Sequence, residues 1–418
     1  FLTLFQILTA FQLLSSAGDK ASPAIPTAFF CLIAVMWGYF LAIRSIRRVG
    51  FEMESIAFFL STLSLAVTAS SAPGSLFKQL AALLLGLVLF VVLGVFLRDL
   101  DRVKRIRWLM AGGAILLLGA TLVLGQAKFG AVNWITFGGF SLQPSELAKI
   151  CYIFAGAATL DRLFRKRNLG LFMALTAACL GCLALMSDFG TAAIFFVTFL
   201  VIAYLRSGDW ATLTLISGGA VFAVAILLTF KPYILKRFAT WGHAWEYASS
   251  GGYQQTRTMS AAASGGLVGV GAGEGGLHRV AAADTDLVFG MLCEEWGLII
   301  GVLSVLCIVT LAVFAVRACR AGRSSFYTIA ACAATSLLVF QTCLNVFGAV
   351  DLLPLTGVTF PFVSNGGSSM VASWGLLAFL KATDTRQNAS FAIRLPSWKE
   401  EHSVLLNRPI QEEVDEDA

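Results

Sequence analysis

The sequence predicts an all-α protein, a polytopic bundle of helices that cross a membrane. Of its 418 residues, 58% are hydrophobic and only 13% are charged, whereas soluble domains carry about 25% charged residues. Runs such as 25–43, 80–97 and 211–230 contain no charged residue and reach the roughly 17–25 residues that a spanning helix needs. A large soluble helical core is excluded, because a chain this apolar would have no polar surface.

Apolar runs follow one another along most of the chain. The first run lacks the basic flank and the cleavage site of a signal peptide, so it is interpreted as a transmembrane helix, with an interfacial helix as the alternative. Because the sequence opens at Phe1 and not at methionine, we expect further residues to precede it. The twelve runs are 1–14, 25–43, 55–72, 80–97, 108–124, 146–160, 171–186, 189–205, 211–230, 286–316, 326–347 and 367–382.

The connections between these runs alternate in charge. Basic clusters occupy every second connection, and the short connections between them hold one lysine or none. The positive-inside rule therefore predicts that both termini lie in the cytoplasm, with residues 386–418 as an acidic, solvated tail. The basic residues are Arg44, Arg47 and Arg48; Arg98, Arg102, Lys104, Arg105 and Arg107; Arg162, Arg165, Lys166 and Arg167; Arg206; and Arg317, Arg320 and Arg323.

Three connections on the predicted outer side are too long and too polar to be simple turns. They are residues 125–145, 231–285 and 348–366, and the middle one is a large loop between the ninth and tenth apolar runs. Its cations would suit an anionic ligand at the membrane surface, or they are plain solvated charges, and the sequence leaves both readings open. These cations are Lys231, Lys236, Arg237, Arg257 and Arg279.

Ionisable residues inside or beside the apolar runs indicate where chemistry could occur. Inserting each charged side chain at the middle of a bilayer costs roughly 2.5–3.5 kcal/mol, so such residues are found where they are paired or line a polar cavity. Some have ordinary explanations: an aspartate can cap a helix, and two neighbouring glutamates can be a buried structural pair. Since most of them lie near the outward ends of their helices, we expect a shared polar cavity. The residues are Glu146 and Lys149, which share a helix face, Asp188, Asp286, Glu294 and Glu295.

The other motifs in the sequence do not indicate a cofactor site, a metal site or a nucleophilic triad. The glycine-rich stretch 265–276 contains G-x-G-x-x-G, but a dinucleotide site needs this motif inside a βαβ unit, so we expect a close-packed, mobile or re-entrant outer loop. The nine cysteines lie in or beside apolar runs and predict neither a disulfide framework nor a metal site. With three histidines in the chain, a nucleophilic triad is not expected.

Four ordered blocks carry a resemblance to a known family. They are W-I-T-F-G-G-F-S-L-Q-P-S-E-L-A-K at 134–149, D-F-G-T at 188–191, the stretch from G-G-Y-Q at 251 to E-E-W-G at 297, and P-L-T-G-V-T-F-P-F-V-S-N-G-G-S at 354–368. The chain resembles the SEDS proteins (shape, elongation, division and sporulation), which include RodA, FtsW and SpoVE. At some positions the chain departs from the family pattern. These departures leave the subfamily undetermined, but none of them replaces a carboxylate residue. They are Asn133, Arg257 with Thr258, Leu287 and Asn365.

The resemblance implies an architecture and a reaction. It implies a ten-helix core over residues 53–385, preceded by an additional transmembrane hairpin at 1–52. SEDS proteins are peptidoglycan glycosyltransferases that polymerise lipid II at the outer face of the cytoplasmic membrane, paired with a class B penicillin-binding transpeptidase. The implied partners are therefore lipid II, the growing glycan strand, that transpeptidase and membrane lipids, with no nucleic acid.

The resemblance also implies site residues. Asp286 matches the essential outer-loop aspartate and is expected to be the general base, while Glu146, Lys149 and Asp188 match the cavity lining and Ser364 and Ser368 its rim. Arg257 and Lys149 are candidates to offset pyrophosphate charge. No cofactor is predicted with certainty, no metal ligands are assigned, and assistance by a divalent cation stays open.

Two rival functions compete with this interpretation. A flippase for a lipid-linked precursor would also be a many-helix bundle with charges inside the membrane. The polar residues cluster towards the outer side, which favours the enzyme. A scaffold that has lost polymerisation is the second rival, and the presence of Asp286 argues against it.

Overall fold

The computed structural model describes residues 1–18, 22–128, 131–137, 140–159, 166–208, 210–211, 214–219, 239–320 and 324–393. Most of the predicted run 211–230, the loop cations Lys231, Lys236 and Arg237, and the acidic tail beyond residue 393 lie outside these ranges. Several basic residues of the predicted cytoplasmic connections also lie outside them, namely Arg162, Arg165 and Arg323.

The fold is predominantly helical, as predicted. Within the described ranges, eight helices are long and apolar enough to cross a membrane. Shorter helices, such as the 16-residue first helix and the 17-residue last one, pack beside them. In chain order the helices are α1 (Leu2–Ala17), α2 (Ala24–Ser45), α3 (Glu52–Ser71), α4 (Leu76–Phe96), α5 (Leu100–Leu124), α6 (Pro144–Thr159), α7 (Lys166–Leu185), α8 (Phe189–Ser207), α9 (Tyr253–Gly265), α10 (Val288–Glu295), α11 (Gly297–Cys319), α12 (Ser325–Ala349) and α13 (Gly367–Thr383).

Helix α13 lies at the centre of the bundle and packs against α4 and α6. The side chain of Trp374 is fully buried and meets the rings of Phe58 and Phe90 at centroid distances of 5.1 and 5.6 Å. A Cβ atom on Gly86 of α4 would lie 3.0 Å from the Cβ of Trp374. The small residue therefore lets the two helices approach closely, which is how helices associate in lipid, where apolar burial alone gives little driving force.

One small sheet interrupts the helical fold and was not predicted. Strands β1 (Gln126–Lys128), β2 (Ala131–Phe137) and β3 (Phe140–Leu142) form an antiparallel sheet in that order, within the first long polar connection. Trp134 faces Gln126 and Ile135 faces Leu142 in the register. The sheet satisfies the backbone of a connection that would otherwise carry unpaired polar groups.

The prediction of one continuous run over 286–316 was wrong. Helix α10 ends at Glu295, α11 begins at Gly297, and Gly297 has a φ of +83°. The backbone N–H groups of Leu298 and Ile299 donate to carbonyl oxygens of the glycine-rich loop, at Gly266 and Leu267. The loop thus pairs with the start of α11 and divides the stretch 286–316 directly after Glu294 and Glu295.

The two ends of the bundle differ in character. Helix α13 begins among the long polar connections and ends near two basic side chains, where Arg48 donates to the carbonyl of Ile393 and Arg98 to that of Phe391. At the same end Lys381 forms a buried ion pair of 3.0 Å with Glu54. Arginine clusters therefore mark the end of the bundle opposite the long polar connections.

Candidate active site

A cavity of about 930 Å³ opens among the three long connections and the ends of α4, α6, α8 and α13. Its wall combines carboxylates, amides and hydroxyl groups with apolar side chains, as a site for an amphipathic ligand requires. The polar members of the wall include Lys78, Gln79, Asn133, Gln143, Asp188, Asp284, Asp286, Thr359, Asn365 and Ser368. The predicted polar cavity is therefore present, although its membership differs from the expected one.

Asp188 both caps a helix and lines the cavity. Its carboxylate accepts hydrogen bonds from the backbone N–H of Thr191 at 3.1 Å and from the Thr191 hydroxyl at 2.9 Å, which satisfies the first turn of α8. Asn133 of β2 donates to the same carboxylate at 3.4 Å. The sequence left open whether Asp188 is a helix cap or a cavity residue, and the structure shows that it is both.

Asp286 lies in the turn that precedes α10. The N-cap of α10 is Leu287 and no side chain caps this helix, so the capping explanation fails for Asp286. Asn345 of α12 donates to the backbone carbonyl of Asp286 at 3.0 Å and to that of Val358 at 2.8 Å. A Cβ atom on Gly357 would lie 3.2 Å from the Asp286 Oδ2 atom. The position of this carboxylate is thus set by α12 and by the connection that precedes α13.

The two serines predicted at the rim occupy different positions. Ser368, at the start of α13, lines the cavity and accepts a hydrogen bond of 2.9 Å from the backbone N–H of Gln143. Ser364 is buried behind the wall, where its hydroxyl donates to the carbonyl of Thr285 at 2.6 Å and accepts from the N–H of Phe360. Ser368 therefore faces the cavity, and Ser364 holds the turn next to Asp286.

Glu146 and Lys149 form the predicted pair, with the Lys149 Nζ atom 2.6 Å from a Glu146 carboxylate oxygen. Both side chains are buried, and they lie beneath the cavity and not in its wall. Lys149 also donates to the Gln341 carbonyl oxygen at 2.9 Å, and the Gln341 amide in turn donates to the backbone of Thr359, which lines the cavity. The ion pair therefore supports the floor of the site.

Arg257 and the two glutamates of α10 lie outside this cavity. The Arg257 guanidinium carbon lies 5.3 Å from the centre of the Tyr253 ring. Glu294 accepts hydrogen bonds from the backbone N–H groups of Gly276 and Leu277, and Glu295 accepts from that of Gly273. Both glutamates thus anchor the glycine-rich loop, so the expectation that they line the shared cavity was wrong and the structural-pair explanation applies.

The glycine-rich loop is close-packed against α10, as one of the predicted alternatives stated. A Cβ atom on Gly275 would lie within 2.8 Å of a Glu294 oxygen. Glu295 also accepts a hydrogen bond from Ser70 of α3. Burial raises the pKa of the Glu295 carboxyl to about 7, although the bonds from Ser70 and Gly273 act in the opposite direction.

Several residues of the site escaped sequence reasoning. Asn133 was singled out only as a departure from the family pattern, and its position beside Trp134 gave no sign that it contacts Asp188. Asn345 and Gln341 lie one helical turn apart on α12 and bond the loops around the cavity. A polar amide recurring with helical spacing in an apolar run was the signal that could have found them. Within the described ranges, no group of three or more His, Cys, Asp or Glu side chains is arranged to hold a metal ion.

A family model described as "Cell cycle protein" (FtsW, RodA, SpoVE) matches residues 28–389 of the chain. The match begins inside α2, and the predicted hairpin at 1–52 and core at 53–385 remain predictions. The chain is 30% identical over 326 residues to the peptidoglycan glycosyltransferase RodA of Mycobacterium tuberculosis, covering 72% of this chain and 69% of the relative. It is 31% identical over 310 residues to the probable peptidoglycan glycosyltransferase FtsW of Tolumonas auensis, covering 71% and 81%.

Solved structures show the same fold. A structure described as the structural coordination of polymerization and crosslinking by a peptidoglycan synthase complex matches with a TM-score of 0.64 at 26% identity, covering 80% of this chain and 98% of that one. The rod-shape-determining protein RodA of Thermus thermophilus matches with a TM-score of 0.58 at 26% identity, covering 81% and 97%.

Proposed function

The chain belongs to the FtsW/RodA/SpoVE family of cell cycle proteins, and we propose that it is a peptidoglycan glycosyltransferase that polymerises lipid II at the outer face of the cytoplasmic membrane. One observation supports this proposal more strongly than the others do. Asp286, held through its backbone by Asn345, faces a cavity whose wall is part polar and part apolar. Such a wall suits a substrate with a sugar head and a lipid tail.

Asp286 acts as the general base in this proposal. Its carboxylate takes the proton of the acceptor sugar's 4-hydroxyl, the hydroxyl oxygen attacks the donor's anomeric carbon, and the bond to undecaprenyl pyrophosphate breaks with its electron pair on the leaving oxygen. A positioned base contributes typically about 10²–10⁴-fold to such a step. Attack from the face opposite the leaving group inverts the configuration at the donor carbon.

A cation is needed where the pyrophosphate leaves, because its negative charge increases as the bond breaks. Lys78 of α4 lines the cavity and is placed for this role. Of the cations expected from sequence, Lys149 is engaged with Glu146 below the floor, and Arg257 stacks on Tyr253 outside the cavity. Lys149 therefore acts through the cavity floor, and Lys78 is the residue to test at the pyrophosphate.

An apolar side of the cavity supports a lipid-linked substrate. Leu85 and Leu89 of α4, Leu147 of α6 and Val371 of α13 line it, and Leu85 is 62% exposed on the outer surface of the bundle. A polyprenyl chain lying in the bilayer could enter between these helices while its head group stays at the carboxylates. Holding both lipid substrates in one membrane plane supplies proximity without further binding energy.

The charge pattern supports the proposed orientation. The arginine clusters at Arg48 and Arg98 lie at the end of the bundle opposite the cavity. The positive-inside rule assigns that end to the cytoplasm and the cavity to the outer side. A class B penicillin-binding transpeptidase is the proposed partner, and the fold match to a peptidoglycan synthase complex supports it.

Reconstitution tests this function against the rival flippase. The full chain and its cognate transpeptidase are placed in lipid vesicles with labelled lipid II on the side that the cavity faces. Long labelled glycan strands are expected. If no strands form and labelled lipid II instead crosses the bilayer, the transporter explanation replaces this one.

A further inference from the structure

A second carboxylate, that of Asp284, lies in the wall of the main cavity two residues before Asp286. Two residues span at most about 7 Å of chain, so both carboxylates belong to the same part of the wall. The proposed proton transfer uses only Asp286. Two negative charges so close together repel each other, so the presence of Asp284 at this position calls for a role of its own.

Each residue of the segment 284–286 is held through its backbone carbonyl oxygen by a group from a different place in the chain. In chain order, the donors are the backbone N–H of Asn365 at 2.9 Å, the hydroxyl of Ser364 at 2.6 Å and the side-chain amide of Asn345 at 3.0 Å. The segment is therefore fixed from outside before any ligand arrives. Such preorganisation is what a precise binding contact requires.

Asn365 fixes the side chain of Asp284 as well as its backbone. The Asn365 amide nitrogen donates to one carboxylate oxygen at 2.7 Å, and both residues line the cavity. The other carboxylate oxygen accepts no hydrogen bond from any residue that the structure describes, and it is open to solvent on a half-buried side chain. A ligand in the cavity can therefore donate to this second oxygen.

The charge of Asp284 limits the kind of group that it can bind. An ionised carboxylate accepts hydrogen bonds and donates none, and it repels a pyrophosphate. Lys78, on the α4 side of the cavity, suits the pyrophosphate instead. The neutral hydroxyl groups of a sugar are the donors that remain for Asp284.

We propose that Asp284 binds a second hydroxyl of the acceptor sugar, beside the 4-hydroxyl that Asp286 deprotonates. The inference rests on the proposed function, because it requires that 4-hydroxyl to lie at Asp286. The 3-hydroxyl and the 6-hydroxyl are the two neighbours on the ring, since carbons 3 and 5 adjoin carbon 4 and carbon 5 carries the 6-hydroxymethyl group. Asn365, one of the positions at which the chain departs from the family pattern, is the positioning residue for this contact.

The contact gives Asp284 a role in specificity. An acceptor that lacks the bound hydroxyl leaves the carboxylate without its donor, and the enzyme discriminates against it. Asp284 takes no part in the proton transfer itself. Its loss should therefore raise the KM for the acceptor more than it lowers kcat.

The test measures competition between acceptors on the reconstituted complex. Labelled lipid II that lacks either the 3-hydroxyl or the 6-hydroxyl of the acceptor sugar competes with natural lipid II, and the ratio of incorporation gives the ratio of kcat/KM. The wild-type complex should incorporate one of the two deoxy compounds at least about tenfold less efficiently, the discrimination expected from a hydrogen bond to a charged acceptor. Asp284→Ala should reduce this preference to less than about twofold.

Two further variants separate binding from a merely structural role. Asn365→Ala keeps the Asp284 carboxylate but removes its side-chain donor, so an intermediate preference is expected. Asp351→Ala is the control, because this aspartate lies outside the main cavity, where it accepts from the backbone N–H groups of Gly242 and Ala244. It should keep the full preference, since a structural defect lowers incorporation of both acceptors together and leaves their ratio unchanged.

The outcomes separate this inference from the proposed function. If the wild-type complex incorporates both deoxy compounds as well as natural lipid II, or if Asp284→Ala keeps the preference, the inference is overturned while the glycosyltransferase function stands. If the wild-type complex makes no strands from natural lipid II, the proposed function fails first.

Discussion

The side-chain amide of Asn345 donates a hydrogen bond of 3.0 Å to the backbone carbonyl of Asp286. These residues lie 59 positions apart in the chain, and the same amide bonds Val358 on the facing loop. One side chain of α12 therefore fixes two segments that form the cavity wall. The position of the proposed base depends on this helix as much as on its own turn.

Loss of the Asn345 amide should slow catalysis more than it weakens binding. Asn345→Leu removes both hydrogen bonds, and a displacement of about 1 Å at a reacting group can cost about 10²-fold. We expect kcat for strand synthesis to fall by about 10–100-fold with a smaller change in KM. The substitution Cys343→Ala, on the same helix, is the control and should leave kcat near the wild-type value. A normal kcat in Asn345→Leu would show that Asp286 is positioned without it.

Replacing one partner of the buried ion pair beneath the cavity should destabilise the protein more than replacing both partners. Lys149→Met leaves the Glu146 carboxylate buried without its partner, and such losses destabilise proteins by about 3–5 kcal/mol. The double variant Glu146→Gln, Lys149→Met should recover most of that stability, because no unpaired charge is left. Thermal unfolding in detergent compares four proteins: the wild type, Lys149→Met, Glu146→Gln and the double variant. Additive losses in the double variant would contradict the pairing at 2.6 Å.

Gly357 should not tolerate a side chain. Its φ is +71°, and a Cβ atom there would lie 3.2 Å from the Asp286 Oδ2 atom. Gly357→Ala should therefore cost about 1–2 kcal/mol in backbone strain and should also lower kcat by displacing the carboxylate. Gly112→Ala is the control, since a Cβ atom at that helical position meets nothing within 4 Å. Equal kcat values for the two variants would contradict the proposed contact.

Stability should fall as the pH rises towards neutrality. Burial raises the pKa of Glu295, which precedes the span beginning at Gly297, from its usual 4.5 to about 7. Between these values the folded protein holds a proton that the unfolded chain releases, so the contribution is present below about pH 4.5 and lost above about pH 7. At 1.36 kcal/mol per pKa unit, the change is about 3 kcal/mol.

The comparison of wild type with Glu295→Gln isolates this effect. The difference in thermal midpoint between the two proteins should shift against the wild type between about pH 4.5 and pH 7. A difference that stays constant over this range would show that the folded and unfolded states bind the proton equally.

The sequence predicted those parts of the site that depend on local spacing. Glu146 and Lys149 are three residues apart on a helix, and they form an ion pair. Asp188 follows one apolar run and precedes another, and it caps α8 while lining the cavity. The glycine-rich stretch has the side-chain-free backbone that close packing against Glu294 and Glu295 requires. For the ion pair and the helix cap the physical cause lies within three residues, and for the loop it lies in the glycine composition of the segment itself.

The missing parts depend on contacts between distant segments. The sequence predicts a run over 286–316 that continues past Glu294 and Glu295, whereas the helix breaks at Trp296, where Leu298 and Ile299 donate to the loop carbonyls of Gly266 and Leu267. Likewise, nothing beside Asn345 in the chain indicates that its partner is Asp286. From the sequence, Gln255 is an ordinary polar residue at the start of a helix. Only the fold shows that it is buried and that its Oε1 atom accepts no hydrogen bond within the described part of the chain.

The central claim is that Asp286 is the base for glycosyl transfer, and the most direct measurement is strand synthesis by Asp286→Asn. The variant is reconstituted with the transpeptidase and labelled lipid II, beside Glu246→Gln, which removes an exposed carboxylate of the same loop. Asp286→Asn should lose at least about 10²-fold in rate while still binding its partner, and Glu246→Gln should match the wild type. Normal strand synthesis by Asp286→Asn would contradict the account.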